Sequence, residues 1–83
     1  MGYIENLLKE FENNAVIWGK AINEGDHRIA NKYHRKNVKI AKKFRTNRNL
    51  GELILIPLLD HPEASVRYQA SVYALELEIQ IEN

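Results

Sequence analysis

Eighty-three residues without a cysteine set tight bounds: one domain with a single core, held by packing alone, with no disulfide and no thiolate metal ligand. The longest uncharged apolar run, Leu53 to Leu59, is far short of the roughly 20 residues a membrane span needs, and Met1-Gly2-Tyr3-Ile4-Glu5 carries no signal-peptide pattern. A cytoplasmic protein, neither secreted nor inserted, is expected. Net charge is only +1, yet nine of the twelve Lys and Arg lie between Arg28 and Arg48, a stretch with no Asp or Glu, while all 11 acidic residues lie outside it.

In chain order, Ile4, Leu7, Leu8, Phe11, Ala15, Trp18 and Ile22 follow the spacing of one helical face, which predicts a first helix over about 3–23. Gly25 suits the left-handed position past its end, and Asp26 can accept from the free amides of a new first turn. The second helix, about 27–45, gathers Ile29, Ala30, Tyr33, Ile40, Ala41 and Phe44 in an arc of about 120°, and Thr46-Asn47-Arg48 is its turn. Asn49 with Glu52 resembles a capping box before a third helix, about 50–60, that is apolar on nearly every side and therefore expected to be central. Pro57 removes one of its amides and predicts a kink there. Pro62 ends the third helix or opens a fourth, about 64–80, with Val66, Ala70, Tyr73, Ala74 and Leu77 on one face. The alternation from Leu75 to Glu82 has a strand-like period of two, but Glu, Leu and Gln favour helix. The fold class is therefore all-α, with four helices in two antiparallel pairs.

Leu58-Leu59-Asp60-His61-Pro62-Glu63-Ala64-Ser65-Val66-Arg67, continuing to Ala70 and Ala74-Leu75, resembles the second half of a HEAT-type helical repeat. With Gly25-Asp26, Asn31 and Tyr33 ahead of it, the chain from about Ile4 to Leu77 resembles a family of small bacterial HEAT-like proteins catalogued as a domain of unknown function. The resemblance implies a right-handed HEAT-like arrangement. It also implies a role like that of the related helical immunity proteins found beside bacterial toxins. Members of that family continue with further helix past the Ala-Leu segment, whereas this chain ends at Asn83, so part of the packing is expected to come from elsewhere.

Two surfaces carry the functional expectation. Arg28, Lys32, Arg35, Lys36, Lys39, Lys42 and Lys43 fall in a second arc of about 120° opposite the apolar one. Four like-charge i,i+4 pairs in it, at roughly 0.2–0.5 kcal/mol each, are tolerated at a cost of about 1–2 kcal/mol. An anionic neighbour offsets that cost: the chain's own acidic helices, an acidic protein partner, or phosphates. An ordinary solvated face is the plain alternative. Against nucleic acid, the stripe has no interleaved aromatic, Tyr33 being assigned to the core side. The other surface is a second row on the fourth helix, Tyr68, Val72, Leu75 and Ile79, pointing about 170° from the first. A helix apolar on two opposite sides is normally sandwiched, so a partner or a second copy is expected there.

Catalysis finds little support. His27 and His34 are seven residues apart, about 10.5 Å along a helix, too far to share a metal ion. His61 beside Asp60 and before a proline reads as a helix-end residue, and Ser65, Ser71 and Thr46 sit in no nucleophile-elbow pattern. The four glycines form no phosphate-binding loop. Arg67 is expected to serve structure, donating to carbonyls or to Asp60 across the turn. The expectation is a non-enzymatic interaction protein without metal or cofactor, immunity-like in blocking a protein partner. A nucleic-acid-binding helical module and a structural homodimer are the alternatives.

Overall fold

The computed structural model describes residues 2–79, and these form four α-helices and no strand: α1 Tyr3–Glu24, α2 His27–Thr46, α3 Arg48–Leu58 and α4 Ala64–Glu76. The junctions follow from local chemistry. Gly25 takes φ 74°, the left-handed conformation that costs glycine little, and lets the amides of Gly25 and Asp26 reach back to Ile22 and Ala21 at 3.1 and 2.8 Å. Asp26 then accepts from the amide of Ile29 at 3.1 Å and opens α2.

The next junction is tighter than the sequence suggested. Asn47 ends α2 by donating its amide to Lys43 O and starts α3 by accepting the Leu50 amide on Oδ1 at 3.2 Å. The cap is therefore Asn47, not the expected Asn49 with Glu52. One side chain satisfies a donor of the new helix while its own extended backbone makes the bend, so no longer turn is needed. α3 ends one residue past Pro57, so the amide the proline lacks falls in the last turn.

α4 is shorter than expected. It stops at Glu76, after which Glu78 takes φ 56° and the amides of Glu78 and Ile79 bond to Leu75 O and Ala74 O at 3.0 and 2.9 Å. This is the closure that glycine usually makes, here built on a glutamate. It turns Ile79 back into the core, where it is 6% exposed, so Ile79 does not extend the outward apolar row. Gln80, Ile81 and Glu82 of the alternating segment lie outside the described residues.

Phe11 lies at the centre of the core, its ring 6.3 Å from that of Phe44 and edge-on to Tyr73 at 5.9 Å, with Ile54, Leu55, Val66, Ala70 and Ala74 fully enclosed around it. α1 packs on all three other helices, and α3 contacts both α2 and α4. The ends of α1 overhang this core: Ile4 and Ile22, expected on its inner face, are exposed, and Trp18 is half-buried. α3 is likewise less central than its composition suggested. Leu50, Ile54, Leu55 and Leu58 are buried, but Leu53 and Ile56 face outward because no helix lies on that side among the described residues.

The turn into α4 is held by polar contacts. Arg67 donates to the carbonyls of His61 and Pro62 at 2.8 and 2.9 Å, as expected of it, and makes no contact with Asp60. His61 accepts the Glu63 amide on Nδ1 at 3.0 Å, which leaves the ring proton on Nε2 to be donated to the Glu12 carboxylate at 2.6 Å. That pair ties the turn to α1. No helix of the described residues is long and apolar enough to cross a membrane.

Candidate functional site

The stripe forms as its spacing requires. Asp26 fixes the start of α2, Ala30, Ile40, Ala41 and Phe44 anchor its inner face, and Arg28, Lys32, Arg35, Lys36, Lys39, Lys42 and Lys43 are all exposed. None of the seven stands within 4.0 Å of a carboxylate among the described residues. Their contacts are weaker ones: Arg35 Nε donates to Asn31 O at 3.3 Å, and Lys43 Nζ to the Tyr3 hydroxyl at 3.4 Å.

Arg45 and Arg48, from the same basic stretch, behave differently. Arg45 pairs with Glu76 at 2.6 Å, and Arg48 donates to Leu77 O and Glu78 O at 2.5 and 2.9 Å, holding the carbonyls at the end of α4. The stretch thus divides into two residues used inside the fold and seven left for solvent or a partner. Glu76 also acts on Tyr73, whose phenol is held above its usual range by burial first and by that carboxylate second, with Arg45 opposing.

Tyr33 corrects an expectation. Rather than turning wholly to the core it is half-buried, with Lys36 Nζ 4.6 Å and Lys32 Nζ 5.7 Å from its ring centroid. Cation–π attraction of this kind holds lysine heads over the ring without cancelling their charge. An aromatic is therefore interleaved with the stripe after all.

On α4, Tyr68, Val72 and Leu75 are 61%, 40% and 72% exposed, so three of the four expected row residues form an open apolar face. Trp18 of α1 continues it, stacked on Tyr68 at 5.8 Å with the rings 9° from parallel. Leu53, Ile56 and Pro57 of α3 form a separate exposed apolar patch, where sequence reasoning had assumed cover.

A buried polar chain was missed. Asn14 Nδ2 donates to Asn37 Oδ1 at 3.0 Å, while Asn37 Nδ2 donates to Phe11 O at 3.1 Å and to Gln69 Oε1 at 2.9 Å. The three side chains are 3%, 0% and 3% exposed. The signal was present: Asn37 stands seven residues from both Ala30 and Phe44, on the inner arc where an apolar residue is usual. The chain ends unsatisfied, since Gln69 Nε2 is buried and has no partner among the described residues, a deficit of about 1–3 kcal/mol. Gln69 also lines a cavity of about 240 Å³ between α1, α2 and α4, beside Trp18, Asn31, His34 and Tyr68.

No group of three His, Asp or Glu side chains among the described residues is placed to hold a metal ion, and His27 and His34 are both exposed. His61, which the sequence set beside Asp60, is engaged by Glu12 and Glu63 instead. No family model, no curated protein and no solved structure matches the chain.

Proposed function

We propose that the protein is a non-enzymatic helical interaction module that docks the basic face of α2 on an acidic surface of a protein partner. The observation carrying this reading is that all seven stripe cations are exposed without a carboxylate partner among the described residues, while Arg45 and Arg48 nearby are engaged. Like charges at helical i,i+4 spacing repel, and a complementary surface relieves that repulsion and steers the encounter. The exposed row Tyr68, Val72 and Leu75 supplies apolar area for a partner or a second copy of the chain. By resemblance, the helices adopt a HEAT-like right-handed arrangement of antiparallel pairs, and the role is immunity-like, the partner being a toxin that the module blocks in the cytoplasm.

The test is capture of partners from the source cell, identification of the bound protein, and reassembly of the complex from pure components. Changing Lys32, Arg35, Lys36 and Lys39 together to Glu is expected to abolish reassembly. A reassembled complex indifferent to that change and to salt would rule out the stripe as the docking face. A gene for a secreted toxin beside this one would support the immunity role, and a solitary gene would count against it.

Tyr33 favours one second reading, a nucleic-acid-binding module. Its ring lies under Lys36 and Lys32, a combination that suits a strand whose phosphates meet the lysines and whose bases stack on aromatics. Retardation of single- or double-stranded oligonucleotides at low salt, steeply lost as salt rises, is the expected result. No retardation at any salt concentration eliminates this reading.

A further inference from the structure

We propose that the groove between α2 and α4 seats one amphipathic helix of the protein partner, its apolar face on Tyr68, Val72 and Leu75 and its Asp or Glu side chains along the edge that meets α2. The inference rests on the docking reading above and specifies which element the partner inserts and which edge of the stripe it uses.

Three contacts place the groove. α2 and α4 both pack on α1. Asn31 and His34 of α2 line a cavity of about 240 Å³ together with Tyr68 and Val72 of α4 and Trp18 of α1. Farther along, Arg45 reaches Glu76 at 2.6 Å, so the two helices run side by side in the same sense. Tyr68, Val72 and Leu75 stand at i, i+4 and i+7, a row about 10.5 Å long, or about two helical turns. A helix laid along that row offers side chains at the same spacing, and the described residues form no strand whose edge could take an extended peptide instead.

Charge selects the occupant. α4 has two charged side chains, Arg67 and Glu76, and the fold uses both, one on turn carbonyls and the other on Arg45. Its outward row is left apolar. α2 has no Asp or Glu, and Arg35 is held at the rim of the cavity, its Nε donating to the carbonyl of Asn31 at 3.3 Å. Lys42 lies about three turns beyond Asn31 on the same side of the helix. A docked helix thus meets apolar side chains on α4 and cations on α2. Beyond the Trp18–Tyr68 stack the charges are mixed, Lys20 with Glu24 and Glu63, so the attraction for carboxylates is on the α2 edge. An acidic tail without an apolar face would leave the row uncovered, and a wholly apolar helix would leave Arg35 and Lys42 unmatched. The chain's own acidic helix, α1, spends its apolar face on the core, where Leu7, Phe11 and Ala15 are buried, so a folded second copy does not supply this element.

The experiment uses the ¹⁵N-labelled full chain and three capped peptides of about 18 residues, long enough for an isolated helix to form. The first carries leucine on one helical face, glutamate along one edge of it, and alanine and glutamine elsewhere. The second has glutamine in place of every glutamate, and the third scrambles the first so that the apolar face is lost. Amide shifts along α4 and the fluorescence of Trp18, the sole tryptophan, report on the groove. The first peptide is expected to bind saturably and the other two at least about tenfold more weakly. Val72→Gln with Leu75→Gln, at exposed positions, is expected to weaken the first peptide about tenfold, and so is Arg35→Glu with Lys42→Glu. Lys36→Glu with Lys43→Glu makes the same change of net charge on the stripe's other edge, beside Tyr33 and Tyr3, and is expected to weaken it much less. Dispersed amide spectra check that each variant is folded.

A scrambled peptide that binds equally well, through lysine signals alone, would overturn the groove and leave the docking reading standing. Equal binding of the glutamine peptide would overturn the acidic edge, and equal losses from the two charge-reversed pairs would overturn its assignment to Arg35 and Lys42. Silence from all three peptides would remove both the groove and the docking reading.

Discussion

Gly19 of α1 and Ser65 of α4 cross so closely that a β-carbon built on Gly19 would overlap the Cβ and Oγ of Ser65. The approach sets how far the first turn of α4 can lean on α1, in addition to the His61–Glu12 pair that ties the preceding turn to α1. Alanine is the better helix former by about 1 kcal/mol, so isolated propensity favours Gly19→Ala. Overpacking costs about 1–3 kcal/mol and is expected to win. Urea unfolding should show a net loss for Gly19→Ala, and adding Ser65→Gly should recover the overpacking part. An alanine variant at least as stable as the parent would mean that the crossing has slack.

Asn37 is the hub of the buried chain, and Asn37→Leu should be among the most damaging single changes. It strands Asn14 Nδ2 and Gln69 Oε1 together, each unsatisfied group costing about 1–3 kcal/mol, while the Phe11 carbonyl keeps its bond within α1. A loss of about 3 kcal/mol or more in chemical denaturation is expected. A loss below about 1 kcal/mol would show that the two groups find other partners.

Glu78 occupies a left-handed position that costs a non-glycine residue about 1–2 kcal/mol. Glu78→Gly should raise the thermal midpoint while keeping Ile79 buried, because the bonds to Leu75 and Ala74 use only backbone. A lower midpoint would show that the glutamate side chain contributes more than its strained backbone loses.

Tyr73 gives a pH dependence with a definite sign. Its phenol is held above its ordinary value of 10.0 in the fold, so the folded chain binds the proton more tightly than the unfolded one. The associated stability is complete below pH 10, and falls as pH rises from there through the folded value. Tyr73→Phe should flatten that part of the alkaline limb in urea titrations followed by circular dichroism. An unchanged slope would place the source elsewhere.

Self-association through α4 is tested by Leu75, the most exposed large apolar residue of the described chain at 72%. If a second copy covers the row Tyr68, Val72 and Leu75, light scattering at high concentration will find a dimer and Leu75→Lys a monomer. A parent protein monomeric at high concentration would leave that face to a different partner.

Four helices, the Gly25-Asp26 junction and the opposed apolar and basic faces of α2 were all legible in the sequence, because each depends on contacts within about four residues. The expectation that Arg67 donates to turn carbonyls came from its place in the HEAT-like resemblance, and its acceptors lie only five and six residues before it. Whether the basic face found acidic partners was decided only in three dimensions. The carboxylates are scattered along the rest of the chain, and packing put Glu76 beside Arg45 and Glu12 beside His61 while, among the described residues, none reached the stripe. Packing also joined Asn14, Asn37 and Gln69 across separations of 23 and 32 residues: helical spacing put Asn37 on the inner arc, but nothing local named its partners. Ile79 left its helical row for the same reason: burial of its side chain against the core outweighs the left-handed turn at Glu78, and no periodicity records that balance.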